Sequence, residues 1–405
     1  MERISTFLSL CLITVAAAFA PSCNTSNSIR LPAGVPKARS VERAMWVTRF
    51  DYQNAHDIEK AAEACRLAGM NTMLFQVRGN ATASYKSAYE PWGEQFGFAD
   101  PGFDPLATAI EAAHARGLKL KAWVNVVPAW WGTTAPTDPH QVWNEHKDWL
   151  WYDQNGKVQP FTDKFYVSLN PCLPEVRRYL SNVMRDLVAR YDVDGLHLDY
   201  IRFPNDLAEK GLDYPRDAKT VKLFRGETGK TPDEDKAGWN AWRAEQVTNL
   251  LREIRRQVRQ EKPDVELSAA VGPEPERALE HHFQDVRTWV KDGLVDALYP
   301  MNYTKDPAIF AKRVELWRGI SRDVPVVMGV RVDSGDVALH KGQLSTALQE
   351  FRGFAVFAFA SLFDSPNDEL EKQTNDARTQ RQTRREALLP VFKAIARGET
   401  DRDAE

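Results

Sequence analysis

The amino-acid sequence predicts an α/β protein built as a single (β/α)8 TIM-type barrel with long loops after its third and fourth strands. Three observations favour this fold. Short apolar runs alternate with longer amphipathic segments from about residue 41 onward. Eight such strand–helix pairs fit into the roughly 330 residues that follow, which suits a barrel of this kind. Polar side chains follow several of the apolar runs, at the end where barrel enzymes place their chemistry.

Each predicted strand is a short run rich in β-branched, aromatic or other apolar residues and bounded by polar or turn-forming ones. The eight runs are Ala44–Phe50, Thr72–Arg78, Leu118–Asn125, Val193–Ile201, Val265–Val271, Val295–Asn302, Val324–Val330 and Gly353–Ala360. An open doubly wound sheet could be built from the same units. However, no glycine-rich phosphate turn follows the first strand, and this favours the barrel.

Helical patterns separate the strands. The clearest begins with Asp104 at the N-cap and Pro105 in the first turn and ends at Gly117. The others are Asp57–Leu67, Pro174–Tyr191, Trp239–Gln260, Asp285–Lys291, Pro307–Trp317, Leu344–Arg352 and Leu370–Ala396. The two long connections cover residues 126–173 and 203–238, and we expect them to wall the C-terminal mouth of the barrel.

Composition narrows the class of protein. The chain has 405 residues, of which 43% are hydrophobic, and a net charge of −3, so it can bury a large core and has no general attraction to nucleic acid. Neither a zinc-type cysteine–histidine spacing nor a cofactor motif is present, so we expect no metal or cofactor. Cys65 and Cys172 could form a disulfide, but nothing in the sequence requires one.

The N-terminal segment predicts export. Arg3 precedes an apolar run that ends at Ala20, which is typical of a signal peptide, here taken as residues 1–22. The sequence around Cys23 resembles a bacterial lipobox. We therefore expect Cys23 to carry lipid, residues 23–40 to form a tether, and the protein to be a membrane-anchored lipoprotein facing the periplasm or cell exterior. A soluble secreted form is the alternative. The barrel domain is assigned to 41–370, and a C-terminal helix and charged tail to 371–405.

The fourth predicted strand carries the strongest functional signal. Side chains alternate along a strand, so His197 and Asp199 share one face. A buried strand gains nothing from an imidazole and a carboxylate unless they have partners or a function. Asp199 also lies near the C-terminal end of its strand. We therefore predict Asp199 as the catalytic carboxylate and Glu274, which follows the fifth strand, as the proton donor.

Aromatic, amide and guanidinium side chains gather at the same strand ends. Carboxylates with such surroundings suit glycoside hydrolysis, because an acid must protonate the leaving oxygen while aromatic rings stack on sugars. The candidate substrate-binding residues are Arg49, Arg78, Trp123, Asn125, Trp130, Trp131, His197, Arg202, Asn302 and Tyr303. Structural roles stay open for many of them: the arginines could form buried ion pairs, the asparagines could satisfy backbone groups, and Trp123 could be core.

Several segments resemble one known family. They are Arg43–Thr48, Phe75–Asn80, Ala122–Asn125, Asp194–Pro204, Tyr299–Tyr303 and Gly353–Phe357. In their order and spacing they resemble the glycosyl-hydrolase-like bacterial lipoproteins known as "family 10 glycosylhydrolase". The resemblance implies a (β/α)8 barrel and hydrolysis of an envelope or extracellular polysaccharide. One branch is similar to enzymes that cut peptidoglycan glycan strands stripped of stem peptides, and a more distant relative cuts partly deacetylated poly-N-acetylglucosamine.

The chain also departs from its relatives. Many of them carry Asp-Asp where this chain has Asp199 and Tyr200, and the chitinase pattern is broken by His197 and Ile201. A fourth-strand Asp with a fifth-strand Glu is similar instead to amylase-like barrels, where they act as nucleophile and acid. We expect a glycoside hydrolase acting on an amino-sugar glycan such as denuded peptidoglycan. The alternative is a carbohydrate-binding lipoprotein without catalysis.

Overall fold

The computed structural model describes residues 41–204, 211–351, 353–366 and 375–398. The strands in these ranges are β1 Glu42–Val47, β2 Thr72–Arg78, β3 Lys119–Asn125, β4 Pro128–Gly132, β5 Thr162–Ser168, β6 Gly195–Asp199, β7 Glu266–Val271, β8 Ala297–Pro300, β9 Met328–Arg331 and β10 Gly353–Phe357. The α-helices are α1 Ala55–Leu67, α2 Pro105–His114, α3 Val142–Glu145, α4 Pro174–Arg190, α5 Ala218–Thr228, α6 Lys236–Glu261, α7 Pro275–His282, α8 Val286–Lys291, α9 Pro307–Arg318, α10 Val337–Glu350 and α11 Asn375–Arg397.

Eight strands form one parallel sheet in the order β8–β7–β6–β3–β2–β1–β10–β9. Parallel bridges from Leu298 to Val326 and from Met301 to Gly329 join the two ends, so the sheet closes on itself. The predicted (β/α)8 barrel is confirmed, and each of the eight predicted strands overlaps an observed barrel strand. Strands β4 and β5 form a separate antiparallel pair inside the long loop after β3.

The helices form the outer ring. Asp104 caps α2 as predicted, its side chain accepting a hydrogen bond from the Ala107 N–H at 3.1 Å. The last helix, α11, packs against β10 through the rings of Phe392 and Phe354, whose centroids lie 5.7 Å apart. This contact makes α11 the outer helix of the last barrel strand.

A buried ion-pair network fills the barrel near the N-terminal ends of its strands. Lys121 Nζ donates to Glu42 at 2.5 Å, to Glu266 at 2.6 Å and to the Tyr299 hydroxyl at 2.8 Å. A buried ammonium group needs such partners, since desolvation without them is costly. These contacts therefore give Lys121 a structural role at this end of the barrel.

The predictions for the leader, Cys23, the tether and the last residues of the tail fall outside the described residues. No helix within the described ranges combines the length and apolar character needed to cross a membrane. Cys65 and Cys172 are both buried free thiols.

Candidate active site

Asp199 is the last residue of β6 and lies in register with Asn125 at the end of β3. It is only 6% exposed, and one of its carboxylate oxygens accepts the Tyr200 N–H at 2.7 Å. Tyr200 adopts a left-handed backbone conformation with φ of 51°. This conformation is uncommon for a large residue and tends to occur at functional sites. The strand therefore ends at Asp199 with a sharp turn.

Burial raises the pKa of the Asp199 carboxyl above its ordinary value. Arg202, the Tyr200 N–H and the Trp123 indole oppose this rise. The Trp123 N–H is close enough to act on the charge but makes no hydrogen bond of regular geometry. A carboxyl group that holds its proton more tightly than usual is suited to proton transfer near neutral pH.

Tyr303 is an electrostatic neighbour of Asp199. Its pKa is raised well above the ordinary value, first by burial and next by the Asp199 charge, so its hydroxyl stays protonated. Its ring stacks on Phe357, with centroids 5.1 Å apart. The preceding residue, Asn302, is buried and donates to the Phe310 carbonyl at 3.2 Å.

His197 lies on the same face of β6 as Asp199, as predicted, but deeper in the barrel, where it is fully buried. The Trp46 indole N–H donates to its Nε2 at 3.2 Å, so the ring proton is on Nδ1, which donates to Ser268 Oγ at 3.0 Å. Burial, aided by Lys121, lowers the pKa of His197 well below its ordinary value. The imidazole is therefore neutral, and both of its nitrogens are occupied.

A hydrogen-bond network joins the strand ends on the other side of the mouth. The Arg49 N–H donates to Gln76 at 3.0 Å, and Gln76 donates to Asn125 at 3.3 Å. Asn125 and Arg49 both donate to the Tyr166 hydroxyl, at 3.4 and 3.2 Å. Because Tyr166 belongs to β5, the network fixes the long loop to the barrel.

Three predicted tryptophans have different environments. Trp123 is 5% exposed and belongs to the inner core of the barrel. Trp130 is 8% exposed and stacks near Phe98, with centroids 6.1 Å apart. Trp131 is 37% exposed and is the one of the three that presents its ring to solvent.

Arg78 and Glu274 are both engaged in ion pairs. Arg78 is fully buried and pairs with Glu90 at 2.7 Å, while also donating to the backbone carbonyls of Asn125 and Val126 at the end of β3. Glu274 immediately precedes α7, and both hydrogen bonds of its carboxylate go to Arg313 of α9, at 2.9 and 3.1 Å. The structure thus brings Asp199, Trp123, Arg202 and Tyr303 together but directs Glu274 toward the outer ring.

Two aromatic neighbours of the site escaped the sequence analysis. The Tyr166 ring lies 5.1 Å from that of Tyr200, edge to face, and the Arg202 guanidinium lies 4.5 Å from the Tyr200 ring. Alternation assigns Tyr200 to the outer face of β6, but the left-handed turn ends that alternation. Tyr166 was hidden because its short strand lies inside a long connection, although the pattern from Phe165 to Ser168 carries a weak strand signal.

Within the ranges described above, no three His, Cys, Asp or Glu side chains are grouped so as to hold a metal ion.

Residues 40–338 match the family model described as Glycosyl hydrolase-like 10. The chain belongs to the glycosyl hydrolase-like 10 family. This membership confirms the family resemblance drawn from the strand motifs. Membership of a glycosyl hydrolase-like family supports a glycosidase that acts on a carbohydrate, and the barrel fold agrees with this.

Two relatives and one solved structure are similar to this chain. It is 26% identical over 333 residues to the glycosyl hydrolase DigH of Escherichia coli K12, covering 72% of this chain and 70% of that protein. It is 28% identical over 258 residues to the glycosyl hydrolase YngK of Bacillus subtilis, covering 58% of this chain and 46% of that protein. The PgaB (BpsB) glycoside hydrolase domain of Bordetella bronchiseptica shares the fold, with a TM-score of 0.60 at 13% identity, covering 85% and 98% of the two chains.

Proposed function

We propose that this protein is a glycoside hydrolase that cuts an envelope or extracellular amino-sugar glycan, such as peptidoglycan strands without stem peptides, and that Asp199 is its principal catalytic carboxylate. The observation that carries the proposal is the position of Asp199, on the inner face of β6 at its C-terminal end. It is buried there with a raised pKa, beside Trp123, Arg202 and Tyr303.

The chemistry follows from this environment. A glycoside hydrolase protonates the leaving oxygen and stabilises an oxocarbenium-like transition state with a carboxylate. Asp199 can serve either purpose, because its raised pKa eases protonation while Arg202 favours its charged form. The neutral Tyr303 hydroxyl is a hydrogen-bond donor on the same side. Glu274 is the proposed second carboxylate, and substrate binding has to redirect it from Arg313 before it can donate a proton.

The competing function is carbohydrate binding without catalysis. The ion pair of Glu274 with Arg313 favours it, since it leaves Asp199 as the one predicted catalytic carboxylate at the mouth. This second function predicts affinity for glycan with no cleavage product at any pH.

The experiment incubates the purified protein with denuded peptidoglycan strands and measures new reducing ends. Shorter strands that carry new reducing ends support hydrolysis. Bound but intact strands support the binding protein instead.

We also propose that the mature protein is anchored to the membrane by lipid on Cys23, on the support of the leader sequence alone. Labelled palmitate should enter the expressed full-length protein, and a Cys23→Ser variant should lose the label. A labelled Cys23→Ser variant would contradict this assignment.

A further inference from the structure

Four aromatic rings form a continuous row that leads away from Asp199. Tyr200 contacts Tyr166 with centroids 5.1 Å apart, Tyr166 lies 6.3 Å from Trp131, and Trp131 lies 6.1 Å from Phe50. Tyr166 and Trp131 belong to β5 and β4, while Tyr200 and Phe50 follow the ends of β6 and β1. We call these four residues the aromatic ledge.

The far end of the aromatic ledge is open to solvent. Trp131 is 37% exposed and Phe50 is 38% exposed, while Tyr166 and Tyr200 are half-buried. Contiguous exposed aromatic surface is unfavourable in water and marks binding sites. A row that begins beside the catalytic carboxylate and ends in solvent is suited to an extended ligand.

Arg49 lies close to three of the four ledge residues. Its guanidinium carbon is 4.3 Å from the Phe50 centroid and 6.0 Å from that of Trp131, and its Nη1 donates to the Tyr166 hydroxyl. Arg49 is 3% exposed, yet its Nε and Nη2 make no hydrogen bond, and its ion pair with Glu94 is long, with Nη2 3.9 Å from the carboxylate oxygen. Buried donors without acceptors cost free energy, so packing alone does not account for this arginine.

Gly79 lies directly against the same guanidinium. A Cβ atom at this position would lie 2.5 Å from Arg49 Cζ, well inside van der Waals contact. Arg49 can therefore occupy this position only because residue 79 has no side chain. An alanine at this position would displace Arg49 without removing any group that a ligand could touch.

From this geometry we infer that the aromatic ledge is a sugar-stacking subsite and that Arg49 is the positioning residue that holds its rings in place. The ligand is a chain of pyranose residues whose apolar C–H faces pack on Trp131 and Phe50, while the sugar to be cut lies at Asp199. The inference rests on the proposed function for its substrate and adds the direction in which the bound glycan chain extends from Asp199.

The test compares KM and kcat on long denuded strands for Trp131→Ala, Gly79→Ala and Arg49→Lys. Loss of one stacking contact should raise KM about tenfold, while kcat changes less. Arg49→Lys keeps the charge but loses the planar group, so it should behave like Gly79→Ala and provides a second variant if Gly79→Ala fails to fold. The control is Tyr89→Ala, because Tyr89 is equally exposed at 37% but lines a separate cleft of about 640 Å³.

An unchanged KM in folded Trp131→Ala, or an equal rise in Tyr89→Ala, would overturn the inference. Binding of intact strands to an Asp199→Asn protein tests the stacking subsite separately from the proposed hydrolysis. If the wild type cuts nothing but Trp131→Ala weakens strand binding about tenfold, the proposal of hydrolysis is contradicted and the proposal of a sugar-stacking subsite is supported. If no strand binds at all, both fail.

Discussion

The Trp46 indole N–H donates to Nε2 of His197 over 3.2 Å in the interior of the barrel. An indole N–H can only donate, so this bond fixes the histidine as its Nδ1–H tautomer and leaves no free nitrogen for a substrate. His197 thus supports the floor of the site two residues below Asp199. A protonated His197 would lose this bond and place a second charge near Lys121.

The buried state of His197 predicts a pH dependence of stability. Its pKa is lowered in the folded protein but is near 6.5 in the unfolded chain, so below that pH the unfolded state binds the extra proton. The free energy of unfolding should therefore fall as the pH drops below about 6.5, with up to about 1.4 kcal/mol per pH unit from this group. When urea unfolding is measured from pH 4.5 to 7.5, the free energy of unfolding should change more steeply with pH for wild type than for His197→Gln. Parallel curves would show that His197 is not held neutral.

Asp199 should contribute activity at the expense of stability. Because its folded pKa is raised, the folded protein binds the proton more tightly than the unfolded chain does, and stability from this group declines as pH rises above about 3.8. Asp199→Asn should then be more stable than wild type at pH 7.5, and the difference in stability between the two proteins should become smaller toward pH 4. Thermal unfolding at the two pH values measures this. A variant less stable than wild type at pH 7.5 would indicate a structural carboxylate instead.

The buried pair of Arg78 and Glu90 should be a major structural contact. Both side chains are fully buried, and Tyr179 adds a hydrogen bond to Glu90 at 3.1 Å. Glu90→Ala leaves an uncompensated guanidinium and should lower the free energy of unfolding by about 3–5 kcal/mol. The control is Glu63→Ala, which breaks exposed pairs with Arg66 and Arg116 and should change stability little. Equal effects in urea unfolding would contradict this account.

The barrel could be predicted because its signals are local. Each strand is a compact apolar run, and caps such as Asp104 mark where helices begin. Some of the elements that escaped are short: α7 spans eight residues and β4 only five, too few for a clear periodicity. Another, α5, has eleven residues and lies in the long connection after β6. They belong to connections, where tertiary contacts decide the structure.

The site was predictable in part, namely where its residues lie in one regular strand. Alternation correctly put His197 and Asp199 on the inner face, because both lie within one regular strand. It failed at Tyr200, where the backbone leaves the strand conformation. The partners of Arg78 and Glu274 come from a loop and from α9, and pairing across such distances is not visible in one sequence.

The most direct test of the central claim is the release of reducing ends from denuded peptidoglycan by Asp199→Asn and Asp194→Asn proteins. Asp194 immediately precedes β6 at the other end of the strand and accepts the Leu120 N–H at 2.8 Å, so it is a matched carboxylate without access to the mouth. We predict that Asp199→Asn loses on the order of 100- to 10,000-fold in kcat while folding normally, and that Asp194→Asn keeps its activity. A folded Asp199→Asn protein with wild-type activity would contradict the account.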